Sequence, residues 1–380
     1  MADDQGKKKE RRISLLINQS TVFFFFLRIP DYHDLLVRYE SPAARLKNLG
    51  LLGAFYARLG LCEFTFGHFD QANRILNNAL GLCKAAGNAE EACTANFISA
   101  LTHLYRGDYE SVLALKEDAL RMMEANSYVR YYVRPLCTAS FACSELGRWD
   151  EAADLGTKAL SAARDFSDNS LVSWAAWTTS LAHAYKRDLD RAIEYAELAV
   201  SSAPTPGEKA FAQATLAWAW CHTGEPGKGI RVLVELIALY QATRYVPPQL
   251  PAVQFLGEGY WLAGEYDKAR ETAQGLLELA EGCGARGYLG HAHRLLGEVA
   301  LKTNPDHAAF HFDKAISLFR ETKAENALAH SYAGYGRLHK QQRRIPEARE
   351  YLTRALEIFV RLGTLIEPDR VRRELADLPG

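Results

Sequence analysis

One six-residue turn signature sets the period of this chain. Residues 67–72 read GHFDQA, and the segments starting at Gly107, Gly147, Arg187, Gly224, Gly264, Thr303 and Arg343 follow in the same frame. The intervals are 40, 40, 40, 37, 40, 39 and 40 residues. Apolar residues recur at helical spacing on both sides of each turn. A helix-turn-helix unit repeated in this way cannot cover its own apolar face, so neighbours must stack and share a continuous core. The spacing predicts an all-α solenoid of about eight such repeats, not two or three separate globular domains.

Each turn position has a physical cause. Gly, where present, can take the left-handed conformation that ends a helix. The acidic residues after it favour the positive end of the next helix's dipole. Small residues recur seven positions beyond each turn's last residue: Ala79, Ala119, Ala159, Ala199, Ala315 and Ala355, with Leu236 and Leu276 in the fifth and sixth repeats. Seven positions before each turn lie Gly60, Ala100, Ser140, Ser180, Ala217, Gly257 and Gly336. In the seventh repeat Leu296 occupies that place with Gly297 beside it, so that turn is one residue short. Small side chains here let helix axes approach to about 8 Å. A Leu at Ala159 or Ala355 would overpack the crossing by about 1–3 kcal/mol.

The flanks divide the rest. Residues 1–12, with Lys7, Lys8, Lys9, Arg11 and Arg12, are expected to be a disordered charged tail. Residues 13–41 are read as N-terminal helices or a partial repeat, with an amphipathic helix over 31–40. Ser41-Pro42 is read as the cap and first residue of the array's first long helix. The array is placed at 42–367. Residues 368–380 form a capping helix and C-terminus, with Pro368 as a stop and Val371, Leu375 and Leu378 as its apolar side.

Composition narrows the function classes. With 48% hydrophobic and 24% charged residues the chain can build a core. A net charge of −1 gives no global field toward nucleic acid or anionic lipid, so neither nucleic acid nor membrane is an expected partner. The stretch ISLLINQSTVFFFFL follows the basic tail as in a signal peptide, but Asn18-Gln19-Ser20-Thr21 breaks it and Arg28-Ile29-Pro30 replaces a cleavage site. It is also too short to span a bilayer. The seven cysteines (62, 83, 93, 137, 143, 221 and 283) form no C-x-x-C pair, which fits a reducing cytoplasm.

The pattern small-x(6)-Gly-Asp-Tyr-x-x-Ala-x(6)-Ala resembles the tetratricopeptide repeat over residues 42–377. That resemblance implies a right-handed superhelix whose first helices line a concave groove. The long period is similar to the repeats in the C-terminal sensor regions of maltose-activator-like regulators, of signalling ATPases and of class III adenylate or guanylate cyclases. Residues 333–340 (AGYGRLHK) and the segment ALEIFVRLGTLIEPDRVRREL look most like the cyclase tails. The resemblance implies a regulatory sensor module of a bacterial signalling protein. No DNA-binding helix-turn-helix follows the array, where the maltose-type regulators carry one, and no nucleotide-binding or cyclase domain precedes residue 42.

Several motifs mimic chemistry. GCGARG at 282–287 satisfies G-x-G-x-x-G but follows a helix instead of a strand. GEPGKG at 224–229 lacks the phosphate-loop spacing and is the fifth turn. His307 and His311 share a helical face without a third metal ligand. Lys84 and Asn88 have the Lys-x(3)-Asn spacing of a carboxylate clamp, but they fall between repeats. No nucleophile–base arrangement is spaced for catalysis, so no enzyme, cofactor or metal is expected.

Binding is the better expectation. Groove-facing positions fall about ten, six and three residues before each turn. They hold Phe97, Phe141, Trp177, Trp218, Gln254, Glu258 and Trp261 centrally, with Arg337 and Lys340 at the C-terminal end beside His339, Arg343 and Arg344. Arg130, Tyr131, Tyr132 and Arg134 form a second aromatic-basic cluster. Aromatic and Arg side chains are favoured at binding hot spots. The expected partner is an extended peptide or a protein, held in a long, wide channel by Tyr131, Arg134, Trp177, Trp218, Trp261, Arg337 and Lys340. The alternative is a sensor stacking a sugar or hydrophobic effector on the same aromatic rings. Nothing in the sequence opposes a homodimer.

Overall fold

The computed structural model describes residues 2–126 and 132–379, and among them every regular element is helical. Three helices open the chain: α1 (Ala2–Asn18), α2 (Ser20–Phe25) and α3 (Ile29–Ala43). Eight antiparallel pairs follow: α4 (Leu49–Thr65) with α5 (Phe69–Ala85), α6 (Ala89–Arg106) with α7 (Tyr109–Asn126), α8 (Val133–Glu145) with α9 (Trp149–Asp165), and α10 (Asn169–Lys186) with α11 (Leu189–Ser202). The series continues with α12 (Pro206–His222) and α13 (Pro226–Ala242), α14 (Val246–Leu262) and α15 (Tyr266–Cys283), α16 (Arg286–Thr303) and α17 (Ala308–Glu321), and α18 (Glu325–Gln341) and α19 (Ile345–Leu362). A last helix, α20 (Glu367–Ala376), covers the final pair through Val371.

All eight sequence turns separate the two helices of a pair. Gly67, Gly107, Gly147, Gly224 and Gly264 have φ between +75° and +97°, and Arg187 (+69°) and Arg343 (+58°) take the same conformation without glycine's freedom. The seventh turn differs, with a short 3₁₀ helix over Pro305–His307 in place of the left-handed residue. A second series escaped the sequence reading. Gly87, Ser167, Arg244, Gly284, Lys323 and Gly363 also have positive φ and follow the second helices of their pairs, at intervals of 80, 77, 40, 39 and 40 residues. The interval of 37 arises where α11 stops at Ser202 and Thr205 caps α12.

The small positions sit at the crossings. A methyl group on Gly60 would lie 2.7 Å from Leu76 Cγ, and one on Gly336 would lie 2.7 Å from Leu352 Cγ. Gly297, not Leu296, faces the partner helix, against Phe312 at 2.8 Å. Ala79, Ala159, Ala199, Ala315 and Ala355 are fully buried.

The N-terminal reading needs correction. Residues 2–12 are not a disordered tail but the first turns of α1, whose Ile13, Leu16 and Ile17 pack with Ile29, Tyr32, Leu36 and Phe55. Ser41-Pro42 does not open a helix. Pro42 lies in the last turn of α3, and Asn48 caps α4 by accepting from the Leu51 amide at 3.0 Å. The opening proline is Pro30, at the start of α3.

The solenoid winds tightly. α4 touches α14, α6 touches α16 and α8 touches α18, so each first helix meets the one five repeats further on. Turns dock into the inter-repeat loops of the next winding. Methyl groups on Gly67, Gly107 and Gly147 would lie within 2.9 Å of Val246, Thr322 and Leu362 respectively. Polar bridges close the seam: Arg286 Nε donates to Arg106 O (3.4 Å), Asn326 Nδ2 to Tyr185 O (3.4 Å), and the Leu365 amide to Lys186 O (2.8 Å). The expected wide channel is therefore absent from this winding, because each coil rests directly on the next.

Candidate functional site

What remains of the concave face is a polar cavity of about 50 Å³ on the superhelix axis. Its walls come from the first helices of six consecutive repeats and the turn at Arg187. Glu258 on α14 is its hub. The carboxylate accepts from Trp218 Nε1 at 2.8 Å, from Gln254 Nε2 at 3.4 Å and from Arg294, with His222 Nε2 at 3.6 Å. Burial alone would raise its pKa, but Arg294, His222 and Arg187 outweigh burial and hold it well below the ordinary carboxylate range.

Arg187 joins this hub to the C-terminal helix. Its Nε lies 3.3 Å from Glu367, its Nη1 donates to His222 Nδ1 at 3.2 Å, and its guanidinium lies over the Trp218 ring at 5.0 Å. His222, accepting there, carries its proton on Nε2 toward Glu258. Burial and then Arg187 push its pKa down to about 4, so it is neutral. Burial likewise pushes His291 down to about 3. Two buried polar atoms in these walls have no hydrogen-bond partner, Gln254 Oε1 and His291 Nδ1. Glu145, last residue of α8, has the hydroxyls of Tyr185 and Tyr109 as its polar neighbours, and burial raises its pKa to about 7. A drier space next door, among Phe141, Trp177, Phe211, Tyr240, Pro248 and Phe255, is nearly filled at about 10 Å³.

The expected site residues scatter. Trp218 reaches the axial cavity together with Gln254 and Glu258. Trp177 is buried next to it, edge-on to Phe141, Trp174 and Phe211, with Nε1 donating to Thr215 Oγ1 at 3.1 Å. Trp261 points elsewhere, into the cluster of Ala269, Ala273, Leu295 and Val299 between α15 and α16. Arg134 covers the Phe97 ring at 5.2 Å. Arg130 and Tyr131 lie outside the described residues. The basic C-terminal end is not an open patch: Arg337 bridges Glu298 (2.8 Å) and Glu374 (3.3 Å). Those acids outweigh burial and raise its pKa further. They come from the preceding repeat and from α20, which is why the run 337–344 looked unopposed. Lys340, half-buried in the last turn of α18, does not line the cavity.

The residues missed share a repeat position. Tyr105, Glu145, Tyr185 and His222 all stand two places before their turns, a column of polar and aromatic residues that alignment of the turns exposes. Arg187 itself occupies the glycine place.

A family model for the tetratricopeptide repeat matches residues 329–359, the α18–α19 pair. None of the curated proteins matches the chain in sequence. Among solved structures, the fold is similar to a Rap protein complexed with competence and sporulation factor, with a TM-score of 0.64 and 12% identity over 93% of this chain and 99% of that one. It is similar to the Rap conjugation gene regulator of plasmid pLS20 in complex with a Phr peptide, with a TM-score of 0.58 and 14% identity over 96% of each chain. The apo quorum sensor NprR from B. thuringiensis gives a TM-score of 0.54 and 12% identity over 92% of this chain and 99% of that one. The chain is a helical-repeat protein of the tetratricopeptide type. Among the described residues no helix is long and apolar enough to cross a membrane, and no group of three or more His, Cys, Asp or Glu side chains is placed to hold a metal ion.

Proposed function

We propose that this chain is a non-enzymatic regulatory module that binds a peptide or protein partner on its superhelix axis, as the sensor part of a bacterial signalling protein. The observation that carries the reading is the axial cluster of Glu258, Arg294, Arg187, Trp218 and Gln254. A solenoid that only scaffolds gains nothing by burying charges there, since apolar residues of like volume are as stable or more so. The neighbour of the same fold named as a complex with a Phr peptide supports the choice of partner. A peptide needs more room than about 50 Å³, so the partner enters when successive windings separate along the seam.

The cavity's size favours a second reading, a small-molecule sensor, because the closed winding takes a head group and little else. One experiment separates the two. Capture from the native cytosol is compared for wild type and a Trp218→Phe/Glu258→Gln variant that circular dichroism shows to be folded. A protein held by wild type alone supports the peptide or protein reading. A metabolite that raises only the wild-type melting temperature, with no differential capture, supports the sensor. Equal behaviour in both assays rejects the axis as the site.

A further inference from the structure

The axial acids are not equivalent. Glu258, Glu298 and Glu367 each hold an arginine. Glu145 is 8% exposed, and among the described residues it has no Lys, Arg or His within ion-pair distance; its partners are the hydroxyls of Tyr185 and Tyr109. Its place is unfavourable twice over. It is buried, and it ends α8, where the helix dipole's negative pole lies. A carboxyl placed so calls for an explanation, and an incoming cation would supply one.

The surroundings suit a cation. Tyr185 and Glu145 form one wall of the axial cavity. Behind them Tyr105 and Tyr288 stack on each other with ring centres 6.1 Å apart, close enough to Glu145 to feel its charge. Aromatic rings beside a carboxylate attract ammonium groups through their negative faces. Across the same cavity Gln254 Oε1, an acceptor with no donor, is 4% exposed as a residue. A water needs about 10–15 Å³ of such space, so about 50 Å³ admits about three to five waters, or one ammonium with its first methylenes. Arg294 and Arg187 do not spoil the site, because Glu258 and Glu367 neutralise them locally.

We propose that Glu145, with Tyr185 and Gln254 around the cavity, is a recognition site for a primary alkylammonium group. This rests on the axial reading above and names the charge the ligand must bring. The group is supplied either by a free amine or by the lysine side chain of a bound peptide. Binding needs the carboxylate, so a protonated Glu145 releases its proton to solvent as the cation enters. Of the titratable groups facing it, the four tyrosines are pushed up by burial, His222, His291 and His330 are held neutral, Glu258 stays ionised, and Arg187 and Arg294 are ion-paired with Glu367 and Glu258. Glu145 is therefore the group whose ionisation sets the pH dependence.

The test is calorimetric titration and thermal melting of the full chain with n-butylamine and with a terminally blocked Gly-Lys-Gly peptide, against butanol and butyrate. Wild type should bind the amine at pH 8 and lose about tenfold affinity for each pH unit below 7. Glu145→Gln, which keeps shape and hydrogen bonds, should lose at least about tenfold at pH 8 and all of the pH dependence. Binding of the peptide alone would assign the group to a lysine-bearing partner, and binding of butylamine alone to a free amine. Equal affinity in the Gln variant, or no response of wild type to either cation, overturns the proposal. If a partner is still captured through Trp218 and Glu258 in that case, the axial reading survives without the ammonium site.

Discussion

Replacing Glu145 with Gln should stabilise the ligand-free protein, by an amount that grows as pH rises from about 5 to 8. The carboxyl is pushed up to about 7 in the fold by burial, against 4.5 ordinarily. The folded state therefore binds the proton more tightly than the unfolded chain does. Stability attached to that proton is complete below pH 4.5 and is lost as pH rises through 7. At 1.36 kcal/mol for each pKa unit, the loss amounts to about 3 kcal/mol. Gln cannot ionise and keeps an acceptor for Tyr185 and Tyr109, so it escapes the loss. Urea unfolding of both proteins, followed by circular dichroism at pH 5 and pH 8, should show the variant ahead by about 3 kcal/mol at pH 8 and by about 1 at pH 5. A variant no more stable than wild type at pH 8 would mean that Glu145 has a cationic partner or water access, and the reasoning about this site would fail.

Three further outcomes follow from the packing. Arg337→Glu should destabilise by at least about 3–5 kcal/mol in urea unfolding, because it leaves Glu298 and Glu374 facing a third carboxylate; a wild-type midpoint would return Arg337 to the surface. Gly336→Ala, whose methyl would meet Leu352 Cγ at 2.7 Å, should cost about 1–3 kcal/mol by thermal melting, and no loss would show that this crossing has slack. Arg343→Gly relieves a left-handed non-glycine residue, worth about 1–2 kcal/mol less the extra freedom glycine gives the unfolded chain, for a net gain of about 0.5–1 kcal/mol. A lower melting temperature for that variant would contradict the strained turn.

Much of the fold was legible because each repeat poses the same local problem. Gly107 and Gly147 had to turn left-handed, and Gly60 and Gly336 had to let a helix cross. Ser41-Pro42 misled because a proline that suits a helix start also fits a last turn, and nothing nearby chooses between them. Half the cavity was visible in Trp218, Gln254 and Glu258. The other half was not, because Glu145, Arg187 and Arg294 meet only once the superhelix has wound. Trp261 and Arg337 lie away from the expected groove for a related reason: whether a first-helix residue faces the axis or a neighbouring helix depends on packing that sequence spacing does not encode. The seam between windings, where Gly67 meets Val246, joins residues almost half the chain apart.

The most direct measurement clamps that seam. Lys323 Nζ lies 3.0 Å from Glu110 Oε1 across it, and of the native cysteines six are buried and Cys283 half-buried. Cysteines placed at 110 and 323 can be joined by a cleavable bismaleimide, and binding of a pooled hexapeptide library compared before joining, after joining and after cleavage. If ligands enter the axis between windings, joining should abolish binding and cleavage should restore it. Undiminished binding by the clamped protein would contradict the axial site.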